Sequence, residues 1–254
     1  MSARIELIGI SGIPLAQTGD NLVDLIGHAL RDSAEMLRDG DALVVTSKIV
    51  AKVEGRWVDL TTVIPDEHAK QVASQCAKDP REVAVILGES SEVSRVRPGL
   101  LIVRHKLGFI CANAGMDHSN TRPDGEWRLL LPENPDQSAR NLRDEFRRRA
   151  GVTIAVVISD SHGRAFRMGT VGVAVGSAGL PALWDWRGRP DLFGNALQVT
   201  EVGFADEIAA AAGMVLGQAN EGIPVVIVRG LAYPVNEQAN AAQLVRPLAF
   251  DLYG

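Results

Sequence analysis

The 254-residue sequence predicts an α+β fold with mixed sheets, and three observations carry that expectation. Short apolar runs with strand character are interspersed with segments whose apolar residues recur at helical spacing. The two kinds follow one another irregularly instead of in strict βαβ units, which argues against a doubly wound sheet. Neither the G-x-x-x-x-G-K-[ST] nor the G-x-G-x-x-G pattern occurs, so the chain is expected to be neither a P-loop nor a Rossmann protein. A chain of this length buries a proper core, in one large domain or two small interlocked ones.

Residues 4–10 alternate like a strand and end at the turn-prone Ser11-Gly12-Ile13-Pro14. Asn21 is placed to cap a helix whose apolar face carries Leu22, Leu25, Ile26, Ala29 and Leu30, with Gly40 beyond its end. Residues 42–46 form a short buried strand, and helical patterns return over 66–77 and 81–87. Two apolar pieces follow at 100–103 and 109–112, then a polar loop over 120–127 that contains Pro123. Pro135 opens a charged helix that stops at Gly151. Residues 152–159 give the strongest strand signal in the chain. A second strand over 171–178 interleaves small residues. Gly169, Gly172, Gly176 and Gly179 are read as close packing in and around it. An Ala-rich helix is expected over 199–216, stopping at Gly217, and 224–228 is the last buried strand.

Composition limits the function classes. Hydrophobic residues at 46% and charged residues at 22% suit a globular chain, and a net charge of −5 disfavours nucleic acid, whose backbone demands a basic surface. Any phosphate must therefore be met in a local pocket. Cys76 and Cys111 lack metal-ligand spacing and are read as reduced thiols. The start, Met1-Ser2-Ala3-Arg4, has no signal-peptide core, and no apolar run approaches the ~20 residues that cross a bilayer. The cytoplasm is the expected location, with no membrane partner.

Four polar clusters follow strands or helices. In Thr46-Ser47-Lys48-Ile49-Val50-Ala51-Lys52, two lysines four apart share one face of a helical turn, either as an anion site or as a solvated face. In Cys111-Ala112-Asn113-Ala114-Gly115-Met116-Asp117-His118-Ser119-Asn120, Asp117 offers a hard oxygen to a cation or merely closes an Asx-turn. In Ile158-Ser159-Asp160-Ser161-His162-Gly163-Arg164, an aspartate followed by a hydroxyl suits magnesium or manganese, and Arg164 and Arg167 suit phosphate oxygens. The other reading is a helix cap with surface arginines. His162, with no partner histidine at ligand spacing, is expected to pack or bond locally. In Leu216-Gly217-Gln218-Ala219-Asn220-Glu221-Gly222-Ile223 a helix ends in a polar loop, suited to a base, ribose or metal, or acting simply as a helix stop. No nucleophile-base-acid triad is evident.

Together these clusters resemble the coenzyme F420 γ-glutamyl ligases, a family named for a deazaflavin. The resemblance is carried by Gly12-Ile13-Pro14-Leu15, by Asp39-Gly40-Asp41 leading into the stretch from Val45 to Arg56, and by Ala112 to Asn120. It continues through Val157 to Arg164, Ala174-Val175-Gly176, Asp191-Leu192-Phe193-Gly194, Val199 to Ala209 and Val228-Arg229-Gly230. These matches keep their order from about residue 6 to residue 230.

The resemblance implies a family-specific ligase fold of two interlocked α/β lobes, the second near residues 110–190, within one unit over 1–254 and an intertwined homodimer. It implies no fused C-terminal reductase domain, since only 24 residues follow Gly230. The implied reaction joins L-glutamate by an amide bond to coenzyme F420-0 with cleavage of GTP to GDP and phosphate. In some relatives further γ-linked glutamates are added. Two divalent ions, Mg²⁺ or Mn²⁺, and one K⁺ are implied as well. Carried over by position, Asp117 and Asp160 would hold one divalent ion, and Ser161 and Gln218 would contact the second. Relatives usually carry threonine where Ser161 stands, and can carry an acid where Gln218 offers only a neutral oxygen. The nucleotide would meet Ile13, Pro14, Leu15, Ala16, Ser47, Lys48, Lys52, Asn120 and the loop from Leu216 to Ile223. Lys52 and Arg164 would stabilise charge during phosphoryl transfer. The alternatives are a ligase of this scaffold acting on another pterin- or flavin-like acid, and a nucleotide-binding regulatory protein without catalysis.

Overall fold

A computed structural model describes residues 4–122 and 125–251. Met1, Ser2 and Ala3, and Pro123 and Asp124 of the expected polar loop, lie outside the described residues. The first half of the chain forms β1 (Glu6–Ile10), α1 (Leu22–Asp32), β2 (Ala42–Thr46), α2 (Ser47–Val53), β3 (Trp57–Asp59), α3 (Glu67–Cys76), α4 (Pro80–Gly88), β4 (Ser90–Arg97), β5 (Leu100–His105) and β6 (Ile110–Ala112). The second half forms β7 (Trp127–Leu129), α5 (Pro135–Ala150), β8 (Ala155–Arg164), β9 (Arg167–Ala178), β10 (Trp184–Asp185), β11 (Glu201–Val202), α6 (Phe204–Leu216) and β12 (Val225–Arg229). The class is α+β, with one mixed sheet and smaller antiparallel ones.

Helix boundaries follow local chemistry. The Asn21 side chain accepts from the N–H groups of Val23 and Asp24 at 2.9 and 3.2 Å and so starts α1. Asn134 does the same for Gln137 at 3.0 Å, Pro135 takes the first turn of α5, and Gly151 ends it at φ +69°.

The largest sheet has the order β1-β12-β2-β8-β9, and within it only β2 and β8 run parallel. Strand periodicity sorts its side chains onto two faces. Leu43, Val45, Val156, Ile158 and Ile227 pack against α1 and α5, where Ile26 and Phe146 are buried. Ala42, Val44, Ala155, Val157 and Val226 face α6 through Ile208, Ala209 and Ala212. Each fully buried aliphatic side chain of the larger kind contributes about 1.5–3 kcal/mol. A separate core under β5 joins α3 and α4 through Val72, Val83, Ile86, Leu101 and Val103.

Glycines let helices approach this sheet closely. A Cβ on Gly172 would collide with the Ala209 carbonyl of α6, and one on Gly176 with the Pro135 carbonyl of α5. The close-packing reading of these positions therefore holds.

Two expectations need correction. The helix expected from residue 199 begins at Phe204; Glu201 and Val202 instead form β11 and pair with β10. The β-branched Val199, Thr200 and Val202, followed by Gly203, disfavour helix and suit a strand. The strand expected to end at Ser159 runs on to Arg164, because β9 pairs with it through a long hairpin beyond the edge of β2. Strand β4 gave no clear signal in the sequence; its pattern is polar and broken by register shifts against β5.

The sheet topology gathers the site at one edge. Ile10, Val225, Val45 and Ile158 stand side by side across four strands. β1, β2 and β8 leave the sheet's shared frame at this edge, and the antiparallel β12 enters it there. Residues 11–16, α2, the Asp160 segment and the 216–223 loop are all delivered to the same place.

Candidate active site

A cleft of about 1000 Å³ opens at this edge. Thr46 stands opposite Ser159 in the parallel β2–β8 pair, so the next residue of each strand meets the other: the Ser47 hydroxyl donates to Asp160 Oδ1 at 2.8 Å. The second carboxylate oxygen of Asp160 lies 2.9 Å from His162 Nε2, two residues along the same strand. His162 in turn packs against Phe109, with ring centroids 5.1 Å apart. Burial disfavours the Asp160 charge, but the His162 and Ser47 bonds outweigh it and hold the carboxyl below its ordinary range. The expectation that His162 bonds locally is met, and the helix-cap reading of Asp160 fails because Asp160 lies on a strand.

α2 places Lys48 and Lys52 on one face, one turn apart. Lys48 Nζ lies 3.5 Å from Asp117 Oδ2 and donates to the Ser119 carbonyl at 3.1 Å. Lys52 Nζ donates to the Asn120 carbonyl at 2.8 Å. Burial, then the charge of Lys48, pulls the Lys52 ammonium below its ordinary value. The backbone of Asp117 pairs both ways with Leu129, at 2.8 and 3.0 Å, and its carboxylate lines the cleft facing Lys48. Burial raises the Asp117 carboxyl to about 6, with Lys48 opposing and the charge of Asp160 adding to the rise. Both aspartates line the same cleft.

Asn120 closes the cleft from one wall to the other. Its backbone is left-handed at φ +54°, and its side-chain amide donates to the Ala219 carbonyl at 2.8 Å. In the opposing loop Glu221 accepts from the Ala219 N–H at 2.8 Å. Gly217 sits at φ +73°, and a Cβ there would overlap the Glu221 carboxyl. Ile13, Pro14, Leu15 and Ala16 line the cleft, as do Ser161 and Gln218 and the remaining residues of the 216–223 loop: Leu216, Gly217, Ala219, Asn220, Glu221, Gly222 and Ile223. Cys111 also lines it, but burial pushes its thiol up to about 12, so it is no nucleophile at neutral pH.

The family described as F420-0:Gamma-glutamyl ligase matches residues 11–230. The chain is 44% identical over 252 residues to the coenzyme F420:L-glutamate ligase of Methanothermobacter thermautotrophicus, covering 98% of both chains. It is 40% identical to that of Methanocaldococcus jannaschii over 98% of this chain and 97% of the relative. It is 45% identical to that of Methanopyrus kandleri over 89% and 88%. The chain belongs to the F420-0:gamma-glutamyl ligase family. The matched span of this ligase family includes every cleft segment described above.

Two arginines expected at this ligase site, Arg164 and Arg167, do not line the cleft. Arg164 lies where β8 turns into β9, its guanidinium donates to the Met168 carbonyl at 2.8 Å, and it does not line the cleft. Conversely, Trp57 and Arg122 line the cleft without having been singled out in the sequence. Trp57 begins a three-residue strand too short to register as a pattern, and Arg122 sits in a polar loop whose partners come from elsewhere in the chain. No helix among the described residues is long and apolar enough to cross a membrane.

Proposed function

We propose that this chain forms an amide bond between L-glutamate and the carboxylate of coenzyme F420-0, driven by cleavage of GTP to GDP and phosphate. The observation that carries the reading is the meeting of Lys48, Lys52, Asp117 and Asp160 in one cleft large enough for a nucleotide and a second substrate. The relatives, each a coenzyme F420:L-glutamate ligase, supply the substrate class.

A carboxylate is a poor electrophile and an ammonium has no lone pair, so the two do not condense in water. Transfer of the γ-phosphoryl group solves the first difficulty: the bond from the γ-phosphorus to its bridging oxygen breaks, GDP leaves, and an acyl phosphate forms on the acceptor. The deprotonated glutamate amine then attacks the acyl carbon and expels phosphate. Lys48 and Lys52 turn from the Ser119 and Asn120 carbonyls toward phosphate oxygens and neutralise charge there. Ser47 and His162 keep the Asp160 carboxylate charged and fixed in direction. The loops 11–16 and 216–223 hold the nucleotide. The same chemistry on the γ-carboxylate of the product extends it by further glutamates.

Divalent magnesium or manganese fits the donor set. The described residues contain no cluster of three or more His, Cys, Asp or Glu that would form an all-protein cage. Instead, two like-charged carboxylates share a half-buried site with the oxygens of Ser161 and Gln218. This is the composition of a magnesium-type site completed by substrate phosphate and water. When bound, such ions would neutralise the oxygens of the triphosphate. Asp117 and Asp160 would hold one and Ser161 and Gln218 would contact the other. A potassium ion, a homodimer of interlocked two-lobed subunits and a cytoplasmic location enter the proposal on family membership.

The test is mass analysis of products from coenzyme F420-0, GTP and L-glutamate, with heavy oxygen in the acceptor carboxylate. A glutamyl product accompanied by labelled phosphate is expected. A glutamyl product with unlabelled phosphate removes the acyl phosphate, and GTP turnover indifferent to acceptor and glutamate removes the ligase.

A further inference from the structure

Three side chains meet at the wall of the cleft. β3 and β7 pair so that Trp57 faces Leu129 and Asp59 faces Trp127, which sets the two indoles diagonally on one face of the ribbon. Arg122 lies across both: its guanidinium carbon is 4.7 Å from the Trp57 ring centre and 4.1 Å from that of Trp127. Trp57 and Arg122 line the cleft and Trp127 does not. The chain just before Arg122 is pinned as well, by Lys48 on the Ser119 carbonyl, Lys52 on the Asn120 carbonyl and Thr121 Oγ on the His118 carbonyl at 2.6 Å. The two rings therefore orient the guanidinium, and the chain before it is tied to α2 in this structure.

A guanidinium lying on aromatic rings keeps its charge and points its N–H groups outward in its own plane. Among the described residues, no hydrogen bond or ion pair uses those donors. The fork suits the two oxygens of a carboxylate or phosphate. The lysines of α2 already serve the nucleotide in the reading above. The acceptor must be an acid, since its carboxylate becomes the amide, and a deazaflavin is planar and aromatic. An aromatic wall with an oriented cation matches that combination.

We propose that Arg122, lying across the Trp57 and Trp127 rings, binds an oxyanion of the acidic acceptor in the cleft. This assignment rests on the ligase reading. It makes Arg122 a binding residue for the acceptor, beside the lysines that serve GTP.

The test compares the full-length chain with Arg122→Met and Arg122→Lys in steady-state ligation, and follows acceptor binding separately through quenching of tryptophan fluorescence. Circular dichroism checks folding. Arg122→Met is expected to raise the acceptor KM and Kd roughly tenfold to a hundredfold, with kcat and the GTP KM within about threefold. Arg122→Lys, which keeps the charge and loses the fork, is expected to fall between, and it serves as the test if the methionine variant does not fold. A wild type that ligates while both variants match its acceptor KM overturns this assignment alone. So does a rise confined to the GTP KM, which would give Arg122 to the nucleotide. A wild type that neither binds nor glutamylates the acceptor removes this assignment and the ligase reading together.

Discussion

Asp160→Asn is the sharpest perturbation of the proposed chemistry. The Asp160 carboxylate accepts from Ser47 at 2.8 Å and engages His162 at 2.9 Å, one bond per oxygen. Asparagine retains a single acceptor oxygen, so one of the two partners faces an amide N–H₂ and a charge-assisted bond worth about 1.5–3 kcal/mol is lost. The negative charge in the cleft is lost too, and removing one such electrostatic contact in an active site costs about 3–4 kcal/mol of transition-state stabilisation. The bond to Ser47 or His162 is present in the ground state as well and falls on stability, so the lost charge alone sets the rate: a fall in kcat of roughly 10²- to 10³-fold. The fold should survive, since the side chains of β8 that face the two cores are untouched. Ligation followed by product mass gives the rate, and thermal unfolding followed by circular dichroism checks the fold. A folded variant retaining a tenth or more of the wild-type rate would refute the assignment of Asp160.

Three further outcomes are expected. Lys52→Met, which removes the cation bonded to the Asn120 carbonyl, should weaken GTP binding about tenfold to a hundredfold by calorimetry; unchanged affinity would take Lys52 out of the phosphate site. Asp41→Ala should cost about 1.5–3 kcal/mol in urea unfolding, because Arg229 bonds both carboxylate oxygens at 3.0 and 2.8 Å and would keep only the Met36 carbonyl at 2.7 Å and Glu35 at 3.7 Å; a loss under 1 kcal/mol would contradict this. Acid should destabilise the protein through His105, whose pKa burial lowers to about 4, helped by Arg56. The nearby Glu89 carboxylate, 3.9 Å away, is already taken by Arg56 at 2.6 Å and gives the imidazole little help. The folded state thus resists protonation: this stability is fully present above pH 6.5 and about 3 kcal/mol of it is lost as pH falls from 6.5 to about 4. Unfolding measured at several pH values should be steeper in pH for the wild type than for His105→Gln, and parallel curves would count against the assignment.

Much of the architecture was legible because its signals are local. The Asn21 cap, Pro135, Gly151 and the apolar runs of β2 and β12 each act within a few residues, and the elements stand where those signals put them. Local signals failed where pairing decided the outcome. β4 is polar and owes its form to β5, β11 exists through β10, and β8 outruns its apolar stretch because β9 follows it.

The site divides along the same line. The sequence by itself marked the lysine pair, both aspartates, the flanking hydroxyls and the glycine-bounded 216–223 loop, because the residue types suited to anions and hard cations follow buried strands in recognisable order. Only the tertiary structure decided that these segments form one cleft. It set β2 parallel to β8 in a register that joins Ser47 to Asp160, bonded Asn120 across to Ala219, and left Arg164 outside on its hairpin. It also laid Arg122 across two tryptophans from the ends of a short ribbon. The physical reason is range: caps and periodicity act over a turn or two, whereas side chains distant in sequence meet only through sheet order and register.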